Sequence, residues 1–344
     1  MTTEQAFLDA IRADPDDDTL RLVFADWLDE HGNAAECARA ELIRVQCELA
    51  RWVPDLRRRT ALHSREAALL QAHAQHWLGR DWDWPAQRKF ARIRNSSDMD
   101  LTFIPAGTFL MGSPETEVNR ASDEGPLHEV TISRPFYLGV YAVTQHQFQR
   151  VTGRNPAHFH REHRGSLLHP VETLSWSEAV EFCQVLSALP AETEAGRVYR
   201  LPTEAEWEHA CRAGRTTPFA FGPQLSSQQA NFDGRYGYGG APEGLFLDGT
   251  ARVGSYPANA FGLFDMHGNV WEWCSDWYQP DYYAKSPALD PQGPDSGPRR
   301  SLRGGSWYLN GMHCRSAYRN NNVAPETRDC YYGFRVAMEG IGGG

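Results

Sequence analysis

No leader, membrane span or cysteine framework is expected from this sequence. Its first residues, MTTEQAFLDA, hold no basic stretch and no apolar core, so no signal peptide is expected. No apolar run reaches the ~20 residues that a spanning helix needs. The seven cysteines (Cys37, Cys47, Cys183, Cys211, Cys274, Cys314 and Cys330) are odd in number, scattered and free of any Cys-x-x-Cys pair. That pattern predicts reduced thiols in the cytoplasm and excludes a disulfide scaffold. Positive charge is short as well: 34 Lys and Arg face 44 Asp and Glu, for a net charge of −10. Nucleic acid and anionic membranes are therefore not expected partners. No internal repeat is visible, and the only low-complexity tract is Gly342–Gly344.

What is present is length and aromatic mass. The 344 residues suffice for two domains, and 11 Trp and 16 Phe support a sizeable core. Residues 1–95 predict a small helical module. Thr2-x-x-Gln5 reads as a capping box, with Ala6, Phe7, Ala10 and Ile11 on one face. Pro15 and the acidic run Asp16–Asp18 mark a break and the start of a second helix, which carries Leu20 to Leu28 and ends at Gly32. Further helical segments are expected over 34–52 and about 56–78.

From about Leu101 the texture changes to short alternating runs, frequent Gly and Pro, and dense aromatics. Three helix starts stand out by their capping boxes: Thr144-x-x-Gln147, Ser175-x-x-Glu178 and Thr203-x-x-Glu206. The third helix is expected to stop at Gly214. Helices early and irregular strands late predict an α+β domain with long loops over 96–340.

The segment 303–336 is the richest in information. It opens on Arg303-Gly304-Gly305-Ser306-Trp307 and closes on Tyr332-Gly333-Phe334-Arg335-Val336. Between these frames lie Tyr, Asn, Arg, His and Cys without periodic apolar spacing. Tyr gives contact area at low entropy cost, and Asn gives adaptable hydrogen bonds, so the segment predicts a polar-aromatic recognition surface.

Several stretches resemble the formylglycine-generating-enzyme (sulfatase-modifying factor) family. They are FIPAGTFLMGS, DEGPLHEVTI, VTQHQF, HPVETLSWSEAVEFC, RLPTEAEWEHACRAG, FGLFDMHGNVWEWCSDWY and LRGGSW, in that order. The resemblance implies a C-type-lectin-like fold. It also implies, for the family's oxidases, a copper site of two cysteines soon after RGGS. Here those positions hold Leu309 and Cys314, with Asn310 and His313 beside them. One thiolate cannot reproduce a two-thiolate Cu(I) site, so copper is not expected. Cys314 is catalytic only under the alternative reading, an oxidase acting on a Cys of a client protein. A sulfur-linking branch of the family uses a His-x-x-x-His-x-Glu bundle, whereas this chain offers His73-x-x-His76 with isolated His31 and His63. The segment His158-x-His160-x-Glu162-His163 reads as a solvated polar loop.

The resemblance also implies structural calcium. Asp265 and Glu272 would supply carboxylates, and Gly268 and Val270 backbone carbonyls. A second site would use Asn231 and the Phe232 carbonyl, with Leu245 where its carboxylate should stand and Asp248 as a substitute.

The same frame occurs in variable proteins of diversity-generating retroelements, in which Asn codons of a C-terminal segment are rewritten at adenines. The resemblance places the ligand-binding positions at Trp307, Tyr308, Leu309, Asn310, His313, Tyr318, Asn320, Asn321, Asn322, Val323, Thr327, Asp329, Cys330, Tyr331 and Tyr332. Past Trp307, each is encodable by changing the first two bases of an Asn codon, while Met312 counts as fixed. The expected function is non-catalytic binding of a protein or other macromolecule at this surface. The segment RLVFADWLDEHG resembles a helical module fused to other domains in planctomycete-like proteins, which implies a protein partner for residues 1–95.

Overall fold

The computed structural model describes residues 3–13, 17–50, 92–320 and 323–339, with separate helical positions between 58 and 73. It divides into two compact units, the first from Met1 to Arg94 with the last three glycines, the second from Asn95 to Ile341.

In the first unit, helices Thr3–Ala13, Asp18–His31 and Ala34–Ala50 pack around Leu8, Ile11, Phe24, Leu28 and Ile43. Asp17 caps the second helix by accepting from the Thr19 N–H at 2.8 Å. Asn33 and Glu36 cap the third reciprocally. The core face of the first helix is Leu8 and Ile11, with Phe7 half-buried, a slight rotation from the expected stripe. Thr2 of the expected capping box and most of the segment 56–78 lie outside the described residues.

The second unit is α+β. Strands Asp100–Ile104, Phe136–Gly139, Ala337–Glu339 and Tyr199–Arg200 pair antiparallel in that spatial order. Strands Gly107–Met111 and His128–Ile132 form a separate ribbon. A third sheet pairs Trp271–Trp277 antiparallel with Arg300–Arg303 and parallel with Tyr332–Gly333. Both frames of the 303–336 segment are thereby clamped to the same strand.

All three expected capping boxes form, starting helices Gln145–Thr152, Trp176–Ser187 and Glu204–Arg212. The apolar faces of the first two meet through Phe148 and Phe182, stacked at 5.2 Å, with Phe334 edge-on to both. The third helix ends one residue earlier than expected. Ala213 takes the left-handed conformation (φ 45°) and Gly214 follows it with φ 83°. This helix is buried on every side. Its polar residues are therefore inside, and they need internal partners.

Arginines of the 303–336 segment supply them. Arg303 pairs with Glu204 at 2.8 Å and with Glu208, and Arg319 pairs with Glu204 at 2.8 Å. Arg315 pairs with Glu124 at 2.6 Å and Glu117 at 2.7 Å. Arg335 pairs with Glu272 at 2.6 Å. These buried bridges fix loops that have too little regular structure to fix themselves.

Candidate binding surface

The segment leaves strand Arg300–Arg303 through two glycines with positive φ, Gly304 at 99° and Gly305 at 76°. A Cβ on Gly305 would lie 2.5 Å from the Cys314 sulfur, so this position requires glycine. The chain then turns outward. Trp307 is buried, pinned by its indole N–H to the Cys330 carbonyl at 3.1 Å and by Phe159 edge-on at 5.3 Å. Tyr308 stands on it, 57% exposed, and stacks on Tyr331 at 6.0 Å with 11° between the rings. A short 3-10 turn, Gly311–Cys314, presents His313, whose ring meets Tyr318 at 4.8 Å.

Tyr308 is exposed, and Leu309, Asn310, His313, Tyr318, Asn320, Asp329, Cys330 and Tyr331 are half-buried. Thr327 is exposed in a turn closed on the Ala324 carbonyl. Asp329 is a turn-former: its carboxylate accepts from the Cys330 N–H and its carbonyl from Thr173 and Tyr332. Asn321 and Asn322 lie outside the described residues.

Two expected surface positions belong to the core. Val323 is 3% exposed, and its carbonyl accepts from the Arg300 N–H. Tyr332 is 7% exposed and packs on Trp273 at 5.5 Å, because it is the strand residue opposite Trp271. Tyr331 precedes the strand and stays half-buried, its ring edge-on to Tyr332 at 4.8 Å.

The loop 233–248 extends the surface, and the sequence reading missed it. Phe246 stacks on Trp307 at 6.3 Å, and the Arg235 guanidinium lies over Phe246 at 4.6 Å. Tyr236, Leu245 and Leu247 are exposed. The Asp233 N–H donates to the Leu309 carbonyl and ties the two segments together. The apolar triplet Leu245-Phe246-Leu247 in an otherwise polar loop was the available signal.

The copper positions do not fit copper. Cys314 is fully buried, and burial pushes its thiol far above the usual range. Leu309 offers no ligand. Cys211, also fully buried, is pushed up to about 12 by burial. It lies 3.8 Å from His267 Nε2, and burial pushes His267 down to about 4. Such thiols stay protonated and inert. The loop 158–163 is largely exposed, and no group of three or more His, Cys, Asp or Glu is arranged for a metal among the described residues.

The expected calcium ligands run from a turn of positive φ into the strand Trp271–Trp277. Asp265, Gly268 and Asn269 all have positive φ (57°, 90° and 65°). Asp265 is buried and accepts one hydrogen bond, from the Gly254 N–H at 2.7 Å, and makes no ion pair among the described residues. Burial pushes its carboxyl up to about 6. An under-neutralised buried carboxylate on such a turn suits a hard cation. Glu272 is more committed: both oxygens accept from Arg335, and one also from the Trp207 indole at 2.7 Å. The second calcium set is poorer. The Asn231 amide is spent on Gly249 and Asn269, Phe232 is buried, Leu245 is exposed, and Asp248 pairs with Arg164.

The family profile described as "Sulfatase-modifying factor enzyme 1-like domain" matches residues 87–340. The chain belongs to this family. It is 33% identical over 290 residues to the formylglycine-generating enzyme of Streptomyces coelicolor, covering 69% of this chain and 88% of that one. It is 34% identical over 264 residues to serine/threonine-protein kinase pkn1 of Chlamydia caviae, but spans only 38% of that relative's length. Among solved structures, PvdO from Pseudomonas aeruginosa superposes with a TM-score of 0.62 and 31% identity, over 72% of this chain and 98% of that one. Treponema denticola variable protein 1 superposes with a TM-score of 0.58 and 25% identity, over 73% and 99%. The second unit thus has the C-type-lectin-like fold of the family. No helix among the described residues is long and apolar enough to cross a membrane.

Proposed function

We propose that this chain is a non-catalytic ligand-binding member of the family, a retroelement-type variable protein that displays a diversified surface on a fixed scaffold. One observation carries the reading: the Tyr308–Tyr331 stack, with Tyr308 exposed and Tyr331 half-buried, stands on a buried Trp307, beside Leu309 where the family resemblance implies a cysteine. Rigid aromatic anchors over a well-packed base are the usual composition of binding hot spots. The likeness to a variable protein supports the same reading. Diversification is confined to the exposed and half-buried positions, since Val323 and Tyr332 are core. The genomic test is a neighbouring reverse transcriptase with a near-copy of the 303–336 coding segment carrying adenines at the exposed positions. If neither exists, the chain is an ordinary fixed-specificity binding domain. The ligand on this reading is a protein or other macromolecule, met in the reducing cytoplasm.

The formylglycine-type oxidase is the second reading, favoured by the identity to the Streptomyces coelicolor enzyme. Copper-loaded protein incubated with a Cys-containing sulfatase peptide is expected to yield no aldehyde by mass spectrometry. Turnover that disappears in Cys314→Ser would establish the oxidase instead.

Calcium is proposed as a structural ion held by Asp265 with the Gly268 and Val270 carbonyls, sharing Glu272 with Arg335. An ion that binds only the folded chain raises its stability with concentration. The melting temperature should therefore rise with added calcium and fall with chelator, and Asp265→Asn should abolish the difference. Identical melts of the wild type in calcium and in chelator would remove the ion from the structure.

A further inference from the structure

A groove of about 550 Å3 opens between residues 221–229 and 241–245. Its size falls within the about 300–1,000 Å3 of ligand sites. None of its lining belongs to the 303–336 segment. The chain's own hydrogen bonds shape it. Leu225 and Tyr238 exchange backbone bonds, the Gly244 N–H donates to the Gly234 carbonyl at 2.8 Å, and the Leu245 N–H donates to the Ser227 hydroxyl at 3.2 Å. Phe221 anchors the first wall: it packs on the buried cluster of Phe219, Leu225 and Tyr238 and meets the His267 ring edge-on at 5.5 Å. A groove formed in this way lowers the ordering cost of binding.

The lining selects the occupant. Phe221, Pro223, Pro242 and Leu245 supply apolar area, and Leu245 is exposed. The polar lining is only partly committed. Gln224 donates to the Gly239 carbonyl at 2.6 Å, which leaves its amide oxygen as an acceptor. Gln229 accepts from the Ser226 N–H at 2.9 Å, which leaves its amide N–H groups as donors. Glu243 is the one charged side chain in the lining; it is exposed and makes no ion pair among the described residues. Arg235 of the same loop is spent on Asp233 through two bonds. An anion would therefore meet uncompensated negative charge. A purely apolar ligand would strip water from the amides and return nothing. A peptide backbone answers the glutamines, since each residue carries a donor and an acceptor. An arginine answers the rest. Its stem covers apolar wall, and its planar guanidinium both stacks on an aromatic face and pairs bidentately with a carboxylate. The net charge of −10 favours an approaching cation as well.

We propose that this groove binds an arginine-bearing segment of a protein partner, with the guanidinium on Glu243 and Phe221 and the segment's backbone on Gln224 and Gln229. The inference goes beyond the variable-surface reading, because it holds whether or not residues 303–336 are diversified. The probe is the capped tripeptide acetyl-Ala-Arg-Ala-amide, titrated against the full chain and followed by saturation-transfer NMR. It should bind saturably. The citrulline counterpart keeps the shape and loses the charge, and should bind about two- to fivefold more weakly, the range of an exposed ion pair. The glutamate counterpart should be weaker still. Glu243→Gln should lower the arginine peptide to the citrulline level and leave the citrulline peptide unchanged, whereas Leu245→Ser should weaken both, since they share that wall. Both side chains are exposed, so the variants keep the fold. Added salt should weaken the arginine peptide alone. Equal affinity for the arginine and citrulline peptides, or an arginine affinity that survives Glu243→Gln, would overturn the assignment. If no peptide binds saturably, the groove holds only solvent. If Tyr308→Ser weakens the arginine peptide as much as Glu243→Gln does, the peptide sits on the aromatic surface and the groove assignment fails while that surface stands.

Discussion

Glu204→Leu should cost about 3–5 kcal/mol of folding stability, because it strands buried arginines rather than merely removing a contact. Glu204 accepts from Arg303, from Arg319 through two nitrogens, and from the Ser301 hydroxyl. Arg303 retains Glu208, but Arg319 is left without a carboxylate, on the Asp123 and Gln279 carbonyls and the Tyr278 and Tyr283 rings. Denaturant unfolding measures the loss as a lower midpoint with an unchanged slope. The exposed pair Arg150–Asp98 is the control, and Asp98→Ala should cost about 1 kcal/mol or less. Equal costs for the two variants would show that the buried network carries no special weight. The network also predicts a pH effect. Asp276 is buried and accepts from the Glu204 N–H at 2.7 Å and the Ser275 hydroxyl at 3.1 Å. Burial, and then the Glu204 charge, raise its pKa well above the ordinary carboxylate value. An acid raised in this way contributes stability that is present below its unfolded value, ~3.9, and lost as pH rises through the folded one. Asp276→Asn should therefore flatten the decline in melting temperature between about pH 4 and pH 8. An unchanged slope would mean that Asp276 ionises as freely folded as unfolded.

The parts of the fold that were legible are those with local causes. A capping box satisfies specific N–H groups through a side chain three residues away, so Thr144, Ser175 and Thr203 announced their helices without tertiary information. The family motifs carried the rest of the architecture, because Gly304 and Gly305 must be glycine for the turn beneath Cys314 to close. The buried arginines were not legible. Arg303, Arg315, Arg319 and Arg335 lie in a polar stretch with no periodicity, and polarity reads as exposure. Their partners sit about 60 to 200 residues away: Glu204 and Glu208 on a helix whose charges also look solvent-facing, Glu117 and Glu124 in the loop before strand His128–Ile132, and Glu272 on strand Trp271–Trp277. The clue was compositional: a nine-residue helix with three Glu and an Arg flanked by Trp207 and Cys211, placed inside a motif. Tyr332 and Val323 failed for a related reason. Codon compatibility speaks to how a position could vary, whereas the strand register decides which way it points.

The contrast between Trp271 and the exposed tyrosines decides whether the segment is scaffold or surface. Trp271 is 1% exposed, donates its backbone N–H to the Tyr331 carbonyl and packs on Tyr318 at 5.9 Å. Trp271→Ala should cost about 3–5 kcal/mol, from lost burial and the cavity left behind. Tyr308→Ser should cost about 0.5 kcal/mol or less, since its ring stands in solvent. Tyr331→Ser should cost about 1 kcal/mol, because it gives up the stack on Tyr308, the edge contact with Tyr332 and partial burial. Tyr332→Ser belongs with Trp271, at about 3 kcal/mol, because its ring packs on Trp273 inside the sheet. Four chemical denaturation curves therefore separate two residues that are neighbours in sequence. If Tyr331→Ser and Tyr332→Ser lose stability equally, the aromatic stack is part of the core, and the 308–331 face has no freedom to vary. If they split as expected, Tyr308 and Tyr331 can change at little cost to the fold, which is the condition that any diversified binding surface must meet.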